Sequence, residues 1–482
     1  MDINQLQPQC LFTYFEQILK IPRPSKKEQK IIDFLVDFAK NNNLDYKVDE
    51  VGNVLILKSA TKGKENSKTV ILQSHLDMVP EKSTSSNHNF ETDPIIAFVD
   101  TDGWVKSKDT TLGADDGIGI AAAMAVLTAN DIEHPAIEAL FTVDEESGMT
   151  GAFGIDPNLL NGKILINLDS EDEGELFIGS AGGMDTSATF EFFYEIADQN
   201  HIAVEISIDK LHGGHSGDEI HFGYGNAIKF LNRIIYNLNK LIDLRLSFIE
   251  GGSLRNAIPK DAKAILTFES NNFENFKKLF EEYKNEIFQE YSFIEPEMII
   301  EYKQVELPKH VIDRQTHQLL LWSLYSAPHG VYAWDKEIEG LVQTSTNLAT
   351  IKINGSSITI GTSQRSSIDS QKFDIANKVR TTFELAGAKV THGKPYPGWK
   401  PNTKSEILDI TVNSYKKLFN EQPKVRAIHA GLECGLFLEK YPHLDIISFG
   451  PTIKGAHTPF EKLNIKTTQK FWDLLVDVLK KI

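Results

Sequence analysis

Cysteine is almost missing: only Cys10 and Cys434 occur in 482 residues, far apart and in no CxxC pattern. Neither a disulfide framework nor a thiolate zinc site is indicated, so any metal must be held by histidines and carboxylates. No run approaches the ~18 apolar residues that a membrane span needs. The first segment, MDINQLQPQCLFTYFEQILK, has no basic stretch ahead of an apolar one. The chain is therefore expected in the cytoplasm, without a membrane partner. Positive charge is also scarce, with 50 Lys and Arg against 67 Asp and Glu for a formal charge of -17. Such a surface repels phosphate backbones, which argues against a nucleic-acid partner. Short repeats, low-complexity tracts and proline-rich linkers are absent too.

What is present has the usage of an ordinary globular protein, 41% apolar and 24% charged. The length exceeds one ordinary core and favours two domains or one with a large insertion. Ser25 and Glu28 have the spacing of a capping box, and Ile31, Ile32, Leu35, Val36 and Phe38 then recur at helical spacing, which predicts a helix. NVLILKS, TVILQ, AIEALFTV and KILINL read as short buried strands, and GIGIAAAMAVLTAN as a helix among them. Strands alternating with helices imply an α/β fold with a mostly parallel sheet flanked by helices. That pattern stops after about Gly183 and resumes near Pro397 with SEILDITVNSYKKLF, LDIISFGP and QKFWDLLVDVLKK. Residues 1–183 and 396–482 are thus expected to form one discontinuous domain. Residues 184–395, with HIAVEISIDKL, AKAILTFES, NAIKFLNRIIYNLNKLI and NFKKLFEEYKNEIF, are expected to form an inserted α+β domain.

Metal-competent residues stand directly after the predicted strands. His75 follows TVILQS, Glu145 and Glu146 follow AIEALFTVD, and Asp169 follows KILINL. Open α/β sheets bind ligands outside the carboxyl ends of their strands, so these groups can converge although scattered in sequence. Each alone equally fits a turn, a cap or a loop. Adjacent carboxylates such as Glu145 and Glu146 repel one another, and a cation relieves that cost, although a solvated turn would too. In HLD, Asp77 is spaced to hydrogen-bond the second nitrogen of a metal-facing His75. Asp115 lies in TTLGADDGIGIAAA, where Gly113 and Gly117 permit close backbone approach and where Asp also suits an N-cap. His457 in GPTIKGAHTPFE completes a set of two histidines and three carboxylates. Such donors suit zinc, with cobalt or manganese as substitutes.

The segments QSHLDMVP, TTLGADDGIGIA, DEESGMTGAFG, NLDSEDEGE, LHGGHSGDEIHFGYGNA, LRNAIP, YPGWKP, IHAGLECGLF and GPTIKGAHTP, in this order along essentially the whole chain, resemble those of the co-catalytic metallopeptidases. That family includes aminoacylases, glutamate carboxypeptidases and carnosinases, and the resemblance is to its bacterial dipeptidase branch. It implies two divalent ions per chain, with Asp115 bridging them, His75 and Asp169 on one and Glu146 and His457 on the other. It leaves Glu145 as general base toward a metal-bridging hydroxide and Asp77 as the orienting partner of His75. It makes the inserted domain a lid, with His215 of GGHSG at the oxyanion. Asn256, Arg365 and the backbone of Gly431 then stand at the substrate's C-terminal carboxylate, a task suited to the forked guanidinium. The expected substrate is a dipeptide with a free carboxylate, histidine-containing ones included. Its amine would meet Glu171, Asp172, Glu173 or Glu433. An N-acyl amino acid deacylase or a tripeptide aminopeptidase would share the metal centre, and an inactive metal-binding relative would not need Asp77 and Glu145. A homodimer fits the family.

Overall fold

The uninterrupted apolar segments near the N-terminus become the centre of an eight-stranded mixed sheet. In the computed structural model, which describes residues 2–429 and 431–482, Val70–His75 pairs in parallel with Ile137–Thr142 on one side and Ile164–Asn167 on the other. Asp445–Ser448 continues the parallel core beside Ile164–Asn167. The three strands before residue 170 are buried at every position. A strand covered on both faces has no polar side, which is why these segments read as apolar runs rather than as alternation. Further strands flank the core, with antiparallel pairing at Val54–Lys58, Asp45–Val48 and Glu175–Ser180. Val54–Lys58 and Asp45–Val48 lie beyond Ile137–Thr142, and Glu175–Ser180 and Lys424–Ile428 close the other edge.

The helix Ala114–Thr128 is buried along almost its whole length, in keeping with its small and apolar residues. The helix expected after Ser25 spans Gln29–Asn41 and buries Ile31, Ile32, Leu35 and Phe38. The capping box itself does not form. The Ser25 hydroxyl donates to Asp77 Oδ2 at 2.8 Å, and the Glu28 carboxylate accepts the amides of Lys26 and Asp144. These two side chains serve the loops at the strand ends instead, where buried donors and acceptors outcompete an exposed helix terminus.

Contacts divide the chain into two units. The first comprises Met1–Gly179, Trp399–Ala427 and Leu432–Ile482, and the second Ser180–Gly398 with Ile428–Gly431. The second unit is α+β. Its nine-stranded antiparallel sheet runs in the order Ile299–Val305, His201–Asp209, Ala262–Glu269, Arg245–Gly251, Val342–Asn354, Ser357–Ser366, Gly182–Glu191, Lys389–His392, with Gly330–Trp334 also paired to Val342–Asn354. The helices Ala227–Asn239, Phe273–Tyr291, Arg314–Ser326 and Asp369–Leu385 supply Leu231, Phe276, Leu320 and Phe383 to its core. Among the described residues no helix is long and apolar enough to cross a membrane.

Candidate metal and catalytic site

The parallel register decides where the chemistry collects. His75 is level with Thr142, and Gln73 with Asn167. His75, the turn carrying Glu145 and Glu146, and Asp169 therefore leave the sheet at one carboxyl edge. Asp115 joins them from the first turn of Ala114–Thr128, where its own backbone is not helical. His457 arrives on a C-terminal loop with φ of 62°, a left-handed conformation that a residue with a Cβ adopts at a cost.

Each oxygen of Asp115 faces one imidazole. His75 Nε2 lies 3.0 Å from Asp115 Oδ1 and 3.3 Å from Asp169 Oδ1, while His457 Nε2 lies 3.1 Å from Asp115 Oδ2 and 2.9 Å from Glu146 Oε2. Behind this row, Asp77 is wholly buried. Its Oδ1 stands 3.4 Å from His75 Nδ1 and accepts the Glu145 amide at 2.9 Å. Its Oδ2 accepts the Glu146 amide at 3.2 Å, next to Ser25 Oγ. One carboxylate thus holds both backbone amides of the glutamate pair and stands within ion-pair range of the His75 ring, whose Nδ1 makes no hydrogen bond.

Burial raises Glu145 well above the usual carboxylate range, and Asp169, Glu433 and Glu146 add to the effect. Burial likewise lifts Asp169 to about 7. Burial opposes charge on His75, yet Asp169, Asp115 and Asp77 bring it well above an ordinary imidazole. Hydrogen bonds to Asp115 and Glu146 raise His457 to about 11. The cluster demands positive charge. Glu146 Oε1 is buried without a hydrogen-bond partner, and single atoms of His75, Asp115 and Glu146, or of His75, Asp116 and Asp169, lie within 4.8 Å of one another. Imidazole and carboxylate donors in this arrangement fit divalent cations of the zinc type. Asp116 was not among the anticipated ligands. Both of its oxygens are engaged, accepting the amides of His75 and Gly119.

Of the four acidic candidates for the substrate amine, two have other tasks. Asp172 pairs with Lys454 at 3.1 Å, and Glu173 accepts from Tyr415 and Lys470. Glu171 sits among the ligands, where burial and then Asp115 and Asp169 raise it to about 9. Glu433 Oε2 accepts from Gln73 and Thr142 at 2.7 Å each, and its buried Oε1 has no hydrogen-bond partner.

The remaining anticipated residues lie in the second unit. His215 Nδ1 is 3.1 Å from Asp218 Oδ2, and the loop around it pairs with the LRNAIP loop, where the Ser216 amide donates to the Asn256 carbonyl. The Asn256 side chain is exposed. Arg365 is buried, donates from Nη1 to Tyr396 Oη at 3.2 Å and leaves Nε without a partner. A Cβ on Gly431 would come within 2.9 Å of the same Tyr396 ring. Tyr396 escaped the sequence reading, as did His429, whose Nε2 meets Ser345 Oγ at 2.7 Å. Their only signal was membership of the YPGWKP and IHAGLECG motifs.

A model of peptidase family M20/M25/M40 matches residues 71–481. The chain belongs to this family. It is therefore a peptide hydrolase, with the α/β fold and inserted α+β unit expected of it. The M20 chain is 39% identical over 481 residues to the cytosol non-specific dipeptidase of Escherichia coli strain K12, covering 100% of this chain and 99% of that one. It is similar to the crystal structure of aminoacylhistidine dipeptidase from Vibrio alginolyticus, with a TM-score of 0.93, 41% identity and coverage of 100% and 98%. The aminopeptidase PepT structure from Bacillus cereus shares the fold, with a TM-score of 0.57 at 17% identity over 99% of each chain.

Proposed function

We propose that this M20 peptidase is a metallo-dipeptidase that hydrolyses dipeptides with a free C-terminal carboxylate, histidine-containing ones included. The first unit would then be the catalytic domain and the second a lid. The observation that carries it is the presentation of the two Asp115 oxygens to His75 and His457, with Glu145 held alongside by Asp77 yet belonging to none of the metal-competent groups. The full-length similarity to two dipeptidases supports the substrate class.

His75 and Asp169 would hold one divalent ion, Glu146 and His457 the other, and Asp115 both. Zinc fits the donors best, with cobalt or manganese as substitutes. Bound there, the ions supply Lewis acidity toward a water and the scissile carbonyl. Glu145 takes the proton of the attacking water and returns it to the leaving amine. Asp77 fixes the ring of His75 and the direction of the Glu145 backbone. His215 donates to the developing oxyanion. Arg365, with its unpartnered Nε, forks onto the substrate carboxylate beside Asn256 and the Gly431 backbone.

The test is a substrate panel on metal-reconstituted protein: free dipeptides, their N-acetyl and C-amide forms, and tripeptides. Free dipeptides are expected to be the best substrates. Faster cleavage of N-acetyl forms would establish the deacylase instead, and faster cleavage of tripeptides the tripeptide aminopeptidase.

A further inference from the structure

We propose that Glu461 and Arg23 are positioning residues that fix the Asp115 loop against the loops of His457 and His75. The inference rests on the reading of Asp115, His75 and His457 as metal ligands, and both residues lie in the first unit.

Glu461 is buried, and its carboxylate accepts four consecutive amides. Oε2 takes those of Leu112 at 2.7 Å and Gly113 at 2.9 Å, and Oε1 those of Ala114 at 2.7 Å and Asp115 at 3.3 Å. Successive amides converging ahead of a helix form an anion-binding nest. Here the chain fills the nest with its own side chain. Glu461 follows His457 by four residues, and its amide donates to the Thr458 carbonyl at 3.1 Å. The segment carrying His457 is therefore short and closed, and one carboxylate sets both His457 and Asp115.

Arg23 holds the same loop through its carbonyl. Its guanidinium is buried, with Nη1 donating to the carbonyls of Leu76 at 2.8 Å and Asp77 at 2.6 Å and Nη2 to that of Gly113. Leu76 and Asp77 directly follow His75, so this one side chain ties the His75 strand end to the Asp115 loop. The glycines of TTLGADDGIG gain a reason. A Cβ on Gly113 would come within 2.8 Å of Arg23 Nη2, and one on Gly117 within 2.7 Å. Removing either charged side chain leaves buried amides or carbonyls without partners directly at a ligand.

The experiment compares wild type with Glu461→Gln, which keeps the size of the side chain and turns one acceptor into a donor facing amides. Metal-free proteins are titrated with Co2+ in competition with a chromophoric chelator, and visible absorption is recorded after loading. Glu461→Gln is expected to bind at least one ion about 10-fold to 100-fold more weakly, with an altered Co2+ spectrum. At saturating metal its kcat should fall while KM holds. Leu475→Ala, a core truncation in the helix Ile465–Lys481 away from the loop, serves as the control for lost stability and should retain the wild-type spectrum and affinity. Wild-type affinities and spectrum in Glu461→Gln, or the same losses in Leu475→Ala, would overturn the proposal. If Glu461→Gln fails to fold, Arg23→Lys takes its place, since it keeps the charge but cannot reach three carbonyls as a fork. A wild-type spectrum there would overturn the proposal as well. Failure of the wild-type protein to bind any divalent ion would be a separate result, one that sinks the metal reading itself and the inference with it.

Discussion

Replacing Asp77 by Asn changes one atom at the point where ring, base and ligand are aligned together. The amide has two orientations, and each breaks something. With its NH2 at the Oδ1 position it faces the Glu145 N–H and His75 Nδ1, so the proton of the imidazole is driven to Nε2, the nitrogen aimed at Asp115 and Asp169. With its NH2 at the Oδ2 position, Ser25 can rotate to accept, but the Glu146 amide loses its acceptor. An orphaned buried amide costs about 1 to 3 kcal/mol, and loss of the partner that orients a ligating histidine costs about 10-fold to 100-fold in metal affinity or activity. Asp77→Asn should therefore lower kcat/KM by about 10-fold to 100-fold and destabilise the metal-free protein by about 1 to 3 kcal/mol. Steady-state kinetics on reconstituted enzyme and denaturant unfolding of the metal-free form measure the two effects. A variant with kcat/KM within about twofold of wild type, a difference well under 1 kcal/mol, and an unchanged unfolding midpoint would refute the reasoning.

Glu145→Gln should retain both ions by metal analysis yet lose most turnover, since the base is removed and every ligand stays; near-normal turnover would remove Glu145 from the mechanism. On the proposed roles, His215→Ala should lower kcat about 100-fold to 1000-fold with intact metal content, whereas Arg365→Ala should raise KM more than it lowers kcat, since a group proposed to hold the carboxylate would do so in ground and transition states alike. Equal effects on kcat and KM in the two variants would contradict those separate roles. Burial lowers His429 to about 3 and His317 to about 4, so both remain neutral in the fold while the unfolded chain takes up protons below about 6.5. Their contribution is present above that pH and is lost as pH falls toward 4. The thermal-unfolding midpoint of the wild type relative to that of His317→Gln should fall as the pH goes from 7 to 4.5, and a difference that stays constant over that range would contradict the assignment.

Much of the first unit was legible because strands buried on both faces and a helix such as GIGIAAAMAVLT are apolar without interruption. The second unit was harder to read. Gln343–Asn347 and Thr362–Ser366 are buried in the paired strands Val342–Asn354 and Ser357–Ser366, yet polar, so no apolar alternation announces them. At the site, His75, Glu145, Glu146, Asp169 and, on the loop after LDIISFG, His457 could be found from their places after strands, whereas Asp115 gained weight only from the motif order. Arg23 and Glu461 left no mark, because what they bind is backbone, and a side chain that satisfies main-chain amides and carbonyls has no partner residue type at a fixed spacing. Ser25 misled for a related reason: its spacing to Glu28 suits a cap, but Asp77 lies closer to its need.

The central claim is that peptide hydrolysis here runs through a centre held by His75, Asp115, Glu146, Asp169 and His457. The most direct measurement is a titration of chelator-stripped protein with Zn2+ or Co2+, following hydrolysis of a free dipeptide and bound metal in the same samples. The account predicts negligible activity without metal and a rise that reaches its plateau at two ions per chain. Full activity in the stripped protein, or a plateau reached with one ion bound and no second taken up, would contradict it.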